Sequence, residues 1–535
     1  KLVAQDAGDE PASELLKRIR VEKDRLIAGG KIKKDKPLAA IAEGEAPFEL
    51  PVGWEWVRWA DIAMKIGDID HKMPSEVSEG VPYISPRDFY GKNEIDFAGA
   101  KKIAPVDYLN LAAKIRPEKG DLIYPRYGTI GVIRMVMDDR EFLASYSCAV
   151  IKVLRGCIEP SYQYLFSMSD CVKRQAASAT NKTTQPNVGL KSIQEYLVPL
   201  PPLAEQSRIV TRVEELMRLC DALEAKGRLE AAQHAQLVTT LLGTLTQSDT
   251  PAQLAENWQR LATHFALLLD RPQAVDALEQ TILQLAVRGL LVPQDPTDEP
   301  ASALLKKIRL EKDRLIAAGQ IKRDKPLAAI GEEEQPFGLP VGWEWVPIET
   351  LANVGSGTTP SRENAAFFVG GSIPWVTSGE TGKLFIGETA QHVTELALAQ
   401  TSLSVYPKGT LIVAMYGQGK TRGQVSELCI EATTNQACAA IVLVESAVAH
   451  RCFVKLVFEK SYDEMRELSA GGAQPNLNVG KIKATLIPLP PLPEQSRIVT
   501  RVAQLRRLCA DLRQRLSASQ STQAQLAEAL VENVA

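Results

Sequence analysis

The chain has 535 residues, 45% hydrophobic and 24% charged, which are the proportions of ordinary globular protein spread over roughly three to four domains. Its 62 Lys and Arg against 65 Asp and Glu leave a net charge of −3, which excludes a chain held to nucleic acid by bulk charge and leaves only binding through a local surface. Apolar runs such as Ala439–Val444 fall far short of the ~20 residues of a membrane span, and the eight cysteines stand singly with no CxxC pair, so a soluble, cytoplasmic chain with reduced thiols is expected.

In chain order, residues 11–28 predict a helix whose face mixes Leu15, Ile19 and Leu26 with Glu22. LPVGWEWV follows, with Trp54 and Trp56 read as packing anchors. The stretch after it carries short β-rich runs, such as Asp121–Tyr124 and Ala149–Val153, punctuated by Gly, Pro and Ser. Prolines 199, 201 and 202 then forbid helix and set the start of the next one. There Ile209, Val213, Leu216, Cys220 and Leu223 fall at the alternating 4 and 3 spacing of a coiled-coil seam, with Cys220 read as a small core hydrophobe. Leu254 to Leu268 and Val275 to Leu285 predict two further amphipathic helices.

The chain then repeats itself. Residues 10–57 recur at 299–346 with 10 differences in 48 positions, and 199–223 recur at 488–512 with six in 25, both at an offset of 289. The second copy has Trp343 and Trp345 at its entry and Ile498, Val502, Leu505, Cys509, Leu512 and Leu516 in its seam. Residues 58–198 and 347–487 share little. Two near-identical frames enclose two divergent middles, an arrangement suited to two copies of one partner and two different ligands. Lys1–Asp9 aligns with Leu290–Asp298, and nothing in the first copy matches 250–289, so a helical segment upstream of Lys1 is expected.

The motifs of catalysis are missing. The Pro-Pro pairs are followed by leucine rather than an aromatic residue, no GxSxG or HExxH occurs, and the five histidines show no ligand spacing. Gly417-Gln418-Gly419-Lys420-Thr421 imitates a phosphate loop, but the first glycine of that motif is replaced by Ala414 and no apolar-periodic helix follows. No catalytic, cofactor or metal residue is therefore expected on this chain.

The repeated PLPPLxEQxRIV and EPASxLLKxI blocks, the LPVGWEWV entries and the variable, shared, variable, shared order resemble the specificity subunits of type I restriction-modification systems, over essentially the whole chain. The resemblance implies an α/β (α+β) protein: two target recognition domains separated by antiparallel coiled-coil helices, with an internal pseudo-twofold repeat. The expected domains are 1–46 (helical frame), 47–200 (first recognition domain), 201–335 (central helical spacer), 336–489 (second recognition domain) and 490–535 (C-terminal helix). Each recognition domain would read one half of a bipartite, asymmetric double-stranded DNA site. The frame would dock two adenine-N6 methyltransferase subunits, with restriction/translocase subunits joining through them. S-adenosylmethionine would sit in the methyltransferase, and ATP with Mg in the restriction subunit. A spacer from Glu205 to Lys226, 22 residues, would reach ~33 Å, about one turn of B-DNA. The competing reading is a coiled-coil scaffold with two domains for ligands other than DNA.

Base reading asks for Arg or Lys toward guanine and Asn or Gln toward adenine. The candidates are Arg87, Arg126, Tyr127 and Lys182 in the first middle, and Thr358, Arg362, Tyr416, Gln418, Lys420, Arg422 and Gln436 in the second. Tyr127 and Tyr416 share a repeat position, which suits a fold role and a reading role equally; Lys182 and Gln474–Asn476 suit a solvated turn as well as a DNA contact. The middles carry net charges of +2 (19 basic, 17 acidic) and −1 (11 basic, 12 acidic), so the isolated chain should hold DNA weakly.

Overall fold

The computed structural model describes residues 2–34, 36–71, 73–128, 130–180, 187–248, 250–323, 330–417, 420–470 and 477–534. The chain divides into two compact units, 1–227 and 228–535, and each repeats the same construction.

Helix Ala12–Ala28 buries Ala12, Leu15, Ile19 and Leu26, a narrow apolar stripe that leaves its charged side to water. The N–H of Ala12 donates to the Gly53 carbonyl at 2.8 Å, and the N–H of Ala301 donates to Gly342 at 2.9 Å. Both glycines turn at φ +85 and +86, a conformation that favours glycine, so the GW of each entry is set against the start of its helix.

The shared PLPPLxEQ block works as a clasp. Its glutamate accepts the indole N–H of the entry tryptophan: Trp54 to Glu205 at 2.9 Å and Trp343 to Glu494 at 3.0 Å. Its glutamine donates back to a proline carbonyl, Gln206 to Pro201 at 3.0 Å and Gln495 to Pro490 at 2.8 Å. The glutamine oxygen then accepts from the middle itself, taking the Glu159 N–H at 3.0 Å in the first unit and His450 Nδ1 at 3.0 Å in the second. All four clasp residues are at most 3% exposed, and a buried polar group without partners would cost about 1–3 kcal/mol, which accounts for the fixed Glu-Gln pair. Arg208 pairs with Asp9, and Arg497 with Asp298 at 2.6 Å, to close the same junction.

Each middle leaves and re-enters its frame through one antiparallel strand pair, Glu55–Arg58 with Leu197–Leu200 and Glu344–Pro347 with Leu486–Leu489. Inside, the first middle has a sheet in the order Ala63–Gly67, Cys148–Val153, Leu122–Pro125, Arg134–Met135, and a three-stranded sheet of Lys101–Ile103, Val81–Ile84 and Leu143–Ala144. The second repeats the order with Ala352–Ser356, Cys438–Leu443, Leu411–Ala414 and Val425–Leu428, adds Phe385–Ile386, and has His392–Val393, Ile373–Val376 and Thr433–Thr434 as its smaller sheet. The fold is thus of mixed α and β class.

Three expectations change. The spacer helix runs from Leu203 to Thr246, 44 residues, or ~66 Å, so the one-turn match to DNA does not hold. It passes through Gly227 into a stretch where Val238, Leu242 and Leu245 are buried at helical spacing, so packing of that face carries the helix past the glycine. The predicted helix over 254–268 breaks into Pro251–Ala262 and Phe265–Leu268. Cys509 is buried as expected, but Cys220 is exposed and Leu223 is 60% exposed; the helix Pro272–Val287 that covers Cys509 has no counterpart among the described residues of the first unit. Among the described residues no helix is long and apolar enough to cross a membrane.

Candidate nucleic-acid interface

The two middles bring loops together at the same end of the same strand pair. In the first, Pro125 pairs with Cys148, so the chain beyond Pro125 meets the chain before Cys148. In the second, Ala414 pairs with Cys438. Backbone bonds of 2.8 Å from Arg126 to Ser147 and from Met415 to Ala437 hold each pair of loops. Register therefore equates Arg126 with Met415, Tyr127 with Tyr416, and Tyr146 with Gln436.

A third segment joins them. Ser85–Asp88 and Thr377–Glu380 each close a capping box after the central strand of the smaller sheet, with the Ser85 N–H to Asp88 at 2.6 Å and the Thr377 N–H to Glu380 at 2.7 Å. Arg87 stands inside the first box and is exposed, and Gly379 holds the same position in the second. The middles thus offer one backbone plan with different side chains.

In the first unit these loops line a cleft of about 660 Å³ that includes Met73, Tyr83, Arg87, Lys101, Tyr127 and Tyr146. Tyr127 lies edge-on to Tyr146 with centroids 6.4 Å apart, and His71 stacks on Tyr146 at 5.1 Å. Burial pushes the Tyr83 hydroxyl up to about 12. Arg126 belongs to the wall instead. It is buried, pairs with Asp68, donates from Nε to the Val188 carbonyl at 3.1 Å, and lies 5.5 Å from the Tyr127 ring centroid. A cation held this way fixes the tyrosine and has little reach for a base edge.

In the second unit the equivalent surface is more open. Tyr416 is 39% exposed, and Gln436, Lys420 and Arg362 are exposed. Arg362 donates to Gln391 at 3.4 Å. Arg422 is half-buried and donates to the Gly417 carbonyl at 3.4 Å, while Tyr462 donates to the Lys420 carbonyl at 2.5 Å. Strand Val425–Leu428 follows this loop where a phosphate loop would have a helix. Thr358 is tied down on three sides: its N–H donates to Thr434, its carbonyl accepts from Trp375, and its hydroxyl bonds Ser402 at 2.7 Å. Gly357 passes so close to the Thr434 carbonyl that a Cβ would lie 1.7 Å from it, so only glycine allows that approach.

Of the residues singled out in the sequence, Arg87 and Tyr127 share the first cleft. Tyr416, Lys420, Arg422 and Gln436 share the loop end of the second, with Thr358 joined to it through Thr434, while Arg362 contacts Gln391 instead. Lys182 and Gln418 lie outside the described residues, as do 474–476. Sequence reasoning missed Tyr146, Lys101 and His71. Strand register equates Tyr146 with Gln436, one position away from the 289-residue offset, so a fixed-offset comparison hides it.

A family model described as the type I restriction modification DNA specificity domain matches residues 51–234 and 340–519. The chain is 34% identical to the type I restriction enzyme EcoAI specificity subunit of Escherichia coli, over 99% of this chain and 91% of that protein. It is also 34% identical to the EcoEI specificity subunit of Escherichia coli, with the same two coverages. A solved HsdS subunit from Thermoanaerobacter tengcongensis matches with a TM-score of 0.40 at 19% identity, over 92% of this chain and 98% of its own.

Proposed function

The chain belongs to the DNA specificity subunits of type I restriction-modification systems, and from that premise we propose how it divides the reading of its target. Each middle reads one half of a bipartite, asymmetric DNA site, and the frame docks two adenine-N6 methyltransferase subunits, through which restriction subunits join. The chain supplies no catalysis, and the methyl donor and ATP belong to those partners. One observation carries this reading: identical clasps and strand pairs present the same loop ends with different side chains, Arg87 against Gly379 and Tyr146 against Gln436.

Within each loop end the roles follow from exposure. Arg87, Lys420 and Arg362 reach outward and suit base edges or phosphates, whereas Lys101 is half-buried and donates to the Pro74 carbonyl at 2.7 Å. Arg126 and Thr358, fixed by buried or closed bonds, position their neighbours. Tyr127 and Tyr146 offer ring faces and edges at the cleft mouth. With net charges of +2 and −1 on the middles, phosphate contact comes largely from the methyltransferase subunits, and the isolated chain binds weakly.

The test is a titration of the complex with methyltransferase subunits against duplexes in which one half-site at a time is randomised, at several salt concentrations. Loss of discrimination confined to the randomised half, with both halves needed for full affinity, is the expected result. Recognition of a single contiguous sequence would overturn the division of labour.

A further inference from the structure

The two reading loops are anchored by different means. In the first, Arg126 stands at the root of the loop, paired with Asp68 and bonded to the Val188 carbonyl, with its guanidinium beside the Tyr127 ring. Register puts Met415 at that place in the second loop. Met415 is buried, and a thioether donates no hydrogen bond, so the second loop cannot repeat that anchor although it carries the exposed Lys420.

Another anchor comes from behind the second loop. Helix Tyr462–Ala470 begins where helix Val448–Lys460 ends, and the hydroxyl of its first residue, Tyr462, donates to the Lys420 carbonyl at 2.5 Å. The same oxygen accepts from Arg466 Nη1 at 3.1 Å, and that guanidinium lies 5.4 Å from the Tyr462 ring centroid. With its lone pair so engaged, the hydroxyl has its proton left for the carbonyl. The loop also turns back on this side chain: at Gly423, with φ +84, a Cβ would touch the Tyr462 ring at 3.4 Å. Tyr462 itself stands on the core, since Val457 and Phe458 before it and Met465 after it are buried, and Arg506 of the frame helix Leu492–Val534 pairs with Glu459.

We propose that Tyr462 is a positioning residue for the second half-site: by holding the Lys420 carbonyl it fixes the backbone from which the Lys420 side chain reaches DNA. The proposal rests on the reading of this loop as a DNA contact and adds the residue that aims it. A lysine carries its charge on a flexible four-carbon stem, so reading one base edge asks that the backbone beneath it be held by a supporting bond. Tyr462 is half-buried and its hydroxyl is committed to the loop and to Arg466, so it acts through Lys420 and not on the duplex.

Tyr462→Phe removes one oxygen and keeps the ring, so it deletes the bond to Lys420 without opening the core. In the complex with methyltransferase subunits, discrimination at the second half-site should fall about two- to tenfold, the worth of one hydrogen bond, while the first half-site is read as before. In a Lys420→Ala background the same change should add nothing, because residues that act as a unit are not additive. The intact chain gives a readout free of DNA. The bonded carbonyl is the one trypsin attacks after Lys420, so Tyr462→Phe should speed cleavage between Lys420 and Thr421, followed by mass spectrometry, by about the same factor. A Tyr462→Phe chain that discriminates like the parent, loses both half-sites equally, adds its full effect to that of Lys420→Ala, or is cleaved no faster would overturn the proposal. Lys420→Ala without effect on either half-site would overturn the proposal together with the reading of the loop beneath it, whereas an effective Lys420→Ala beside a silent Tyr462→Phe would overturn the proposal alone.

Discussion

The frame and the middles repeat in opposite ways. In the frame the side chains recur, because each carries a buried bond that another residue would leave unmade: Trp54 and Trp343 on glutamate, Gln206 and Gln495 on a proline carbonyl. In the middles the backbone recurs while the side chains change, as Arg126 against Met415 and Tyr146 against Gln436 demonstrate. A scaffold that must hold similar partners keeps its contacts. A reader that must distinguish sequences keeps only its strand register and its caps.

The comparison can be broken hardest at the clasp. Trp343 is 6% exposed, and Trp343→Ala should cost about 3–5 kcal/mol, lowering the unfolding transition of the second unit in calorimetry while the first unit's transition stays. Removing one partner of a buried ion pair has a similar scale, so Arg126→Ala, which leaves Asp68 only the longer contacts to Lys114 at 3.7 Å and His71 at 3.6 Å, should cost at most about 3–5 kcal/mol. Denaturant unfolding of the first unit checks it. By contrast Arg87→Ala and Lys420→Ala, both at exposed positions, should change stability by under about 0.5 kcal/mol. Each should weaken one half-site by ~1–3 kcal/mol where it touches a base edge, measured with duplexes mutated in one half. If Lys420 touches phosphate alone, affinity should fall evenly across sequences and the salt slope should shrink by about one.

The smallest expected effect concerns pH and separates the two clasps. Burial holds His450 below the ordinary imidazole range, so the folded second unit keeps it neutral while the unfolded chain protonates near 6.5. Stability from this group is present above that value and is lost as pH falls through and below it. The first clasp takes a backbone N–H from Glu159 at the same place. Melting of the second unit should therefore drop more steeply between pH 7.5 and 5, and His450→Asn, which keeps a donor for Gln495, should flatten the slope.

Much of this was legible in the sequence because repetition and periodicity report buried contacts. The two copies, the helix over 11–28, the strand runs near 121–124 and 439–444, and the tryptophan anchors all follow from patterns that packing imposes. The length of the spacer was not legible, since Gly227 interrupts the apolar rhythm after Leu223 and the buried Val238, Leu242 and Leu245 resume it only well beyond. Cys220 was misread because a seam in sequence states that a face is apolar without stating that anything covers it. The reading loops were legible only as residue types: Arg126 and Arg87 look alike in sequence, and the partnering of one with Asp68 and the exposure of the other appear only in three dimensions.

The most direct measurement is an exchange of residues 347–487 for the corresponding middle of a related subunit, followed by mapping of methylated adenines across the genome of a strain carrying the intact system. Because residues 58–198 are untouched and each middle is closed on its frame by its own strand pair, one half of the methylated motif should change while the other half stays as it was. A motif altered in both halves, or in neither, would contradict the account.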